Sequence, residues 1–148
     1  MDKRILAVAG VLITVLALKT VSAQNKAADH VVSAEAVKFT PLDPKDPNGA
    51  AVSVVTGELQ GKGPITLFLR LAKGKAPIHT HSASYHAVLV KGQTKHWPVG
   101  GEANALTLNP GSHWSQTGKV PHGDECLSTQ CVLFLQFDGP YDFAPVTK

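Results

Sequence analysis

From Ala50 onward, short segments rich in β-branched and aromatic residues are separated by turns that contain Gly or Pro. Segments of this kind are typical of β-strands, and seven or more at this spacing predict an all-β sandwich or barrel. The predicted strands cover 51–58, 65–71, 85–90, 93–97, 105–108, 113–116 and 131–137. The preceding segment, 38–49, is interrupted repeatedly by Pro and Asp and predicts turns rather than a helix or a central strand.

The N-terminal residues 1–23 have the three regions of a secretory signal peptide. A basic start is followed by an apolar run over 5–18 and by the small residues that end at Ala23. An uncleaved membrane anchor is disfavoured because that run is about fourteen residues long and a spanning helix needs about twenty. We therefore expect cleavage after Ala23, a tether over 24–37, a domain over 38–148, and a periplasmic or secreted location without membrane attachment.

Charge adds little once the signal is set aside. Residues 1–23 contain three of the 14 basic residues and one of the 11 acidic residues, which leaves 11 basic and 10 acidic residues in the remainder. A nearly neutral chain offers no basic groove for nucleic acid and no polybasic membrane patch. The remaining length is that of one domain with a single core.

Cys126 and Cys131 are the only cysteines, and export favours their oxidation. The segment between them is predicted to be a hairpin loop, which a disulfide would clamp. A redox pair and a thiolate metal site are the alternatives. The four-residue spacing differs from C-x-x-C, and there is no second cysteine pair to complete a zinc knuckle, so the structural disulfide is the favoured interpretation.

Histidines supply the candidate chemistry. His79 and His81 are two residues apart, so on an extended strand their imidazoles project to the same side and can share one ion. His122 follows Pro121 about forty residues later and is a candidate third ligand. Neutral imidazole is a common metal ligand, which makes a metal site the favoured prediction over chance spacing of two histidines.

Two segments resemble motifs of the cupin superfamily. The stretch from Gly74 to Gly92 resembles the first motif, in which a Gly precedes H-x-H and a second Gly follows. The stretch from Leu108 to His122 resembles the second, a Pro-Gly turn, a short strand and a Pro-His. The segment 77–85 and the terminal 138–142 are similar to a branch of small single-domain cupins of unassigned function.

The resemblance implies a cupin-type double-stranded β-helix, or jelly-roll barrel, with a divalent transition metal held by His79, His81 and His122. The acidic ligand usual in the first motif is missing, and His86 stands where it would fall. His86 is therefore predicted as a fourth ligand, on the expectation that Tyr85 points to the other face. The alternative is a three-histidine site with open positions. Iron, zinc, manganese, copper and nickel all suit such ligands.

Other residues near the motifs have simpler interpretations. His96 is predicted to be a surface residue and Trp114 a core residue, with an aromatic wall of a ligand pocket as the alternative for Trp114. Asp124 or Glu125 follows His122 closely enough to orient a ligand histidine from behind, although solvated loop charges are the simpler interpretation.

Three functional classes remain open from the sequence. The protein is a metalloenzyme with oxygenase-like or isomerase-like chemistry on a small molecule in the barrel, a non-catalytic metal- or small-ligand-binding protein of the periplasm, or a metal-free binder. There is no nucleophile elbow and no phosphate-binding glycine loop. Metal binding is therefore a firmer prediction than catalysis. A homodimer is expected by resemblance, since cupins often pair through sheet edges.

Overall fold

Nine β-strands make up most of the regular structure of residues 30–146, the part of the chain that this computed structural model describes. They are β1 (Thr40–Pro41), β2 (Ala51–Thr56), β3 (Ile65–Lys75), β4 (His79–Thr80), β5 (Tyr85–Lys91), β6 (Thr94–Pro98), β7 (His113–Gln116), β8 (His122–Phe137) and β9 (Ala144–Pro145). Two 3-10 turns accompany them, Ala34–Ala36 and Glu102–Asn104. The predicted signal peptide lies outside the described residues, as does the beginning of the predicted tether.

Every strand pairing is antiparallel, and β8 is the centre of the sheet. One edge of β8 pairs with β3 and then, beyond a short break, with β4. Its other edge pairs with β6 along its first part and with β5 along its second part. A long strand with partners on both sides along its length curls the sheet, which confirms the predicted all-β jelly-roll class.

The strand predictions are confirmed in position except at two places. The segment 105–108 forms no strand, because only Leu108 reaches a partner, in an isolated bridge with Thr94. The second difference is a strand longer than predicted, because β8 begins at His122 rather than at Cys131. Residues 122–130 are largely polar, and backbone pairing with β3, β4 and β6 makes them a strand without an apolar pattern.

Alternate residues of β3, β5 and β8 fill the core. On β5, Tyr85, Ala87 and Leu89 are buried, and the residues between them are exposed. These side chains pack with the buried residues of the neighbouring strands, which are Val52, Ile65, Leu67, Cys126, Cys131, Leu133, Leu135 and Phe137. The core therefore lies inside the curl of the sheet, and one end of it borders the histidines.

The predicted disulfide between Cys126 and Cys131 is present. It closes a bulge within β8 rather than a hairpin loop. Ala72 of β3 pairs with Gln130, and Gly74, two residues later, pairs with Cys126, so β8 advances four residues while β3 advances two. Gly92 approaches this bulge so closely that a Cβ atom there would lie 2.5 Å from the Gln130 carbonyl oxygen. The bridge thus fixes the point where β8 changes partner from β6 to β5.

Within residues 30–146 there is no helix long and apolar enough to cross a membrane.

Candidate metal centre

Three histidine side chains meet where β4 and β8 begin. His79 pairs directly across the strands with His122, and their ring centroids are 4.3 Å apart. His81 projects to the same side as His79, with centroid distances of 5.0 Å to His79 and 5.3 Å to His122. All three side chains are buried, and each offers a ring nitrogen within 4.8 Å of the others. The structure thus brings these three predicted residues together.

The hydrogen bonds of these rings orient them alike. Nδ1 of His79 donates to the Pro77 carbonyl at 2.9 Å, and Nδ1 of His122 donates to the Val120 carbonyl at 3.1 Å. Nδ1 of His81 donates to the Asp142 carbonyl. With the ring hydrogen on Nδ1, each neutral imidazole keeps a lone pair on Nε2. The three lone pairs face the same space.

A carboxylate completes this group of acceptors. Asp124 is two residues after His122 on β8, so both side chains lie on one face of the strand. Its Oδ2 is 3.5 Å from Nε2 of His79 and 3.7 Å from Nε2 of His122. Gly123, between them, is packed against Trp97 so tightly that a Cβ would lie 2.5 Å from the indole ring. Any larger residue there would displace both acceptors.

His96 lies behind Asp124, contrary to its prediction as a surface residue. Register places it opposite Asp124 on β6, and its Nδ1 is 2.7 Å from Asp124 Oδ1. Its Nε2 is 3.1 Å from Oε1 of Gln116, whose amide nitrogen donates to two backbone carbonyls. Both nitrogens of His96 therefore face side-chain oxygen atoms, and the imidazole holds the Asp124 carboxylate in place through Oδ1.

His86 does not join the cluster. It is exposed on β5, whereas its neighbour Tyr85 is buried and places its hydroxyl 3.3 Å from Nε2 of His122. The expected orientation of this strand was therefore wrong, because the core takes Tyr85, Ala87 and Leu89 and leaves the alternate positions outside. The side chain that reaches the site from β5 is the Tyr85 phenol.

The C-terminal segment holds the loop that contains His81. The Asp142 side chain accepts a hydrogen bond from the Ser82 amide at 2.7 Å, and β9 pairs with β4. Phe143 stacks on His79, with ring centroids 4.3 Å apart and planes inclined by 27°. These contacts fix two of the three imidazoles from the side that β8 does not cover.

The site opens onto a cavity of about 460 Å³ within the curl of the sheet. Leucines of β3 and β8 form its walls, and Trp114 and Tyr141 also line it. Burial raises the pKa of Tyr141 to about 12, so its hydroxyl stays protonated. Trp114 packs against the hydrophobic core, as predicted, and also forms an aromatic wall of the cavity. It stacks on His96 with ring centroids 5.1 Å apart.

Solved structures with this architecture are numerous, although no protein-family model and no curated protein matches the chain. An RmlC-like cupin from Shewanella frigidimarina aligns over 77% of this chain and 93% of its own, with a TM-score of 0.56 and 17% identity. A DMSP lyase from Ruegeria pomeroyi aligns over 76% of this chain and 61% of its own, with a TM-score of 0.57 and 17% identity. An oxalate oxidase aligns over 83% of this chain and 67% of its own, with a TM-score of 0.56 and 15% identity.

The chain has a cupin fold. This confirms the fold that the resemblance of its two histidine segments implied, and identities of this size carry the fold alone. The cupin fold explains why residues distant in sequence meet at β4 and β8.

The donor set of this cupin site fits a divalent transition metal. Imidazole nitrogen and carboxylate oxygen suit zinc, iron, manganese and their neighbours. Ligands of one ion at bonds of about 2.1 Å lie roughly 3 to 3.5 Å apart. The separations of Asp124 Oδ2 from the two Nε2 atoms, 3.5 Å and 3.7 Å, are close to that range.

Two participants were misjudged or only partly foreseen from the sequence. Asp124 was considered as an orienting group behind a ligand, and the structure instead aims it at the imidazoles. The same i, i+2 spacing that pairs His79 with His81 relates His122 to Asp124 and was a usable signal. No local signal identifies His96, whose place depends on the pairing of β6 with β8.

We expect the metal-free protein to lose stability as the pH falls below about 6.5. Burial lowers the pKa of His79, His81 and His122 from that ordinary value, and the backbone hydrogen bonds oppose the shift. Between the folded and unfolded pKa values the unfolded chain binds more protons than the folded chain. The free energy of unfolding therefore decreases as the pH decreases. Each histidine contributes at most about 1.4 kcal/mol per pH unit. Urea unfolding of chelator-treated protein at pH 7.5, 6.5 and 5.5 measures the slope.

The exposed histidine of β7 provides the control for this titration. His113→Ala should leave the pH dependence of the unfolding free energy as in the unsubstituted protein. A stability that stays constant from pH 7.5 to 5.5 would contradict burial of three neutral imidazoles.

Proposed function

We propose that this protein is an exported mononuclear metalloenzyme in which His79, His81, His122 and Asp124 hold a divalent transition metal. The observation that carries the proposal is that three buried imidazoles offer ring nitrogens within 4.8 Å of one another while their ring hydrogens point to backbone carbonyls. Asp124 Oδ2 lies 3.5 Å and 3.7 Å from two of these nitrogens. Acceptors that face one another repel unless a cation lies between them. The Tyr85 hydroxyl supplies a donor to His122 alone.

The cavity beside the four proposed ligands favours an enzyme over a closed binding site. Four protein ligands would fill a tetrahedral site, whereas they would leave two positions of an octahedral iron or manganese site for a substrate. With His86 on the outer face of β5, the group borders a cavity of about 460 Å³. That volume lies within the range of small-molecule sites. A non-catalytic metal-binding protein is the second candidate.

Enzymes with the same fold lend support to this choice. The similar solved structures include DMSP lyases and oxalate oxidases, which act on small molecules. The identity of at most 17% in these matches leaves the substrate of this chain to its own residues. We keep oxygenase-like or isomerase-like chemistry as the proposed reaction type.

The chain's own groups have separable tasks at such a site. A bound divalent ion would supply Lewis acidity, polarising an oxygen of the substrate. Asp124 would lower the net charge of the centre, and His96 would hold its carboxylate in place through Oδ1. Burial raises the pKa of Tyr85, so its hydroxyl remains a hydrogen-bond donor beside His122. The leucine side chains would provide an apolar surface beside the reacting groups.

Export and assembly belong to the same proposal. The signal-like segment 1–23 and the disulfide between Cys126 and Cys131 both suit an oxidising compartment, the periplasm or the exterior. The homodimer expected from cupin resemblance stays a prediction, and light scattering of the purified protein measures it.

The decisive measurement is the metal content of protein purified from its exported fraction without chelator or nickel resin. Elemental mass spectrometry should find about one equivalent of a divalent transition metal per chain. The His86→Ala variant should retain it, because that side chain is exposed. Absence of metal from freshly exported protein that also fails to take up added zinc, iron or manganese would overturn the proposal.

A further inference from the structure

The walls of the cavity above the metal site are apolar and carry few charges. The two paired strands β3 and β8 contribute four aliphatic side chains to them, which are Leu69, Leu71, Leu133 and Leu135. Among the described residues that line the cavity, the charged side chains are the carboxylates Asp43 and Asp124, and there is neither Lys nor Arg. A second anionic group on a ligand would therefore have no cationic side chain to pair with.

One buried donor at the cavity lacks a partner. Within the part of the chain described, Trp114 Nε1 is the buried side-chain nitrogen or oxygen without a hydrogen bond. The indole is close enough to the Tyr85 hydroxyl to oppose the rise that burial causes in its pKa, yet it makes no hydrogen bond of acceptable geometry. A buried donor left unpaired costs free energy, and a ligand acceptor that reaches it removes that cost.

The Tyr85 hydroxyl is a second donor that a ligand can use. It now lies 3.3 Å from Nε2 of His122. If that lone pair binds a metal, the hydroxyl needs another acceptor. Trp114 and Tyr85 both line the cavity, so two donors face it beside the proposed centre.

We propose that the cavity binds a largely apolar small molecule with one oxygen-bearing head group, which accepts a hydrogen bond from Trp114 Nε1. The inference deepens the proposed metalloenzyme and rests on it for the reaction, although the binding itself needs only the cavity. Sugars are excluded because leucine walls cannot satisfy their hydroxyls. Dicarboxylates and zwitterions are excluded because their second charge would be buried against apolar or acidic groups.

The test uses two ketones that differ at the far end alone. One is 4-methylacetophenone, and the other is 4-acetylbenzoate, which replaces the methyl group by a carboxylate. Each is titrated into zinc-treated and zinc-free protein while the two indole N–H resonances, from Trp97 and Trp114, are followed by nitrogen-edited NMR. Zinc stoichiometry is determined on the same samples, so failure of the metal site is seen separately from failure of the cavity.

We expect 4-methylacetophenone to move the Trp114 indole proton downfield and to leave the Trp97 indole in place. The Trp114→Phe variant keeps an aromatic ring without the N–H and should bind this ketone about tenfold more weakly. The Trp97 indole, which does not line the cavity, is the internal control, so its resonance should stay in place in both proteins. 4-Acetylbenzoate should bind at least about tenfold more weakly than 4-methylacetophenone.

Three results would overturn the inference. They are an unmoved Trp114 resonance at saturating ketone, equal affinity in the Trp114→Phe variant, and preferred binding of 4-acetylbenzoate. If Trp114→Phe does not fold, the resonance shift and the comparison of the two ketones in the unsubstituted protein decide the matter.

Discussion

Replacing His79 and His81 together by Ala is expected to abolish stoichiometric metal binding. The change removes two of the three buried imidazoles that share the site and leaves His122 and Asp124, with the partly buried His96 beside them. Loss of a single outer partner of a metal ligand already costs 10- to 100-fold in affinity, so the loss of two direct ligands should exceed about a hundredfold. Elemental mass spectrometry and competition with a zinc-sensitive dye measure the two quantities.

The matched control removes two histidines that the structure leaves outside the site. His86 and His113 lie on the paired strands β5 and β7, and both are exposed. Their double Ala variant should hold the same metal equivalent as the unsubstituted protein. Retention of one equivalent by the His79→Ala, His81→Ala protein, with loss from the control, would reverse the assignment of the site.

Much of the fold follows from local pattern, because the core strands carry apolar residues on at least one face. The segments 51–58, 65–71, 113–116 and 131–137 all contain observed strands. The first part of β8 could not be found this way. Its residues are polar, and they are held by backbone pairing to strands on both sides. Such pairing is a property of the assembled sheet and leaves no periodic trace in the sequence.

The orientation of β5 was mispredicted for a different reason. Its sequence, Tyr-His-Ala-Val-Leu-Val, has apolar residues at both alternating positions, so neither face is identified by polarity. The structure buries Tyr85 against Phe137, with ring centroids 4.8 Å apart, and thereby turns His86 outward. An error of one residue in a strand exchanges its two faces, which is why a single wrong phase removed one predicted ligand.

His96 illustrates the limit of reading a site from motif residues alone. Its contact with Asp124 arises from the register of β6 against β8, in which His96 faces Asp124 and Pro98 faces His122. The sequence alone predicts a surface position for His96, with no role at the metal site. With Nδ1 of His96 2.7 Å from Asp124, we now expect His96→Ala to weaken metal binding through a mobile carboxylate.

Asp124→Asn should lower metal affinity by about a hundredfold or more while leaving the protein folded. Asn has the same shape, so the packing around Gly123 and Trp97 is preserved. It lacks the charge that attracts the ion, and its amide has one oxygen where the carboxylate has two to reach His96 and the imidazoles. Zinc competition titrations at fixed pH, with circular dichroism to verify folding, measure the change.

Glu125→Gln is the control, because it removes the neighbouring carboxylate from the opposite face of β8. Glu125 pairs in register with Lys75 on β3 and with Lys95 on β6, away from the imidazoles. Its substitution should leave zinc affinity within about twofold, because this partly buried charge lies on the face of β8 that does not carry the proposed ligands. If Asp124→Asn binds zinc as tightly as the Glu125→Gln control, the carboxylate is not a ligand. The acidic group missing from the first motif would then have no substitute in this site.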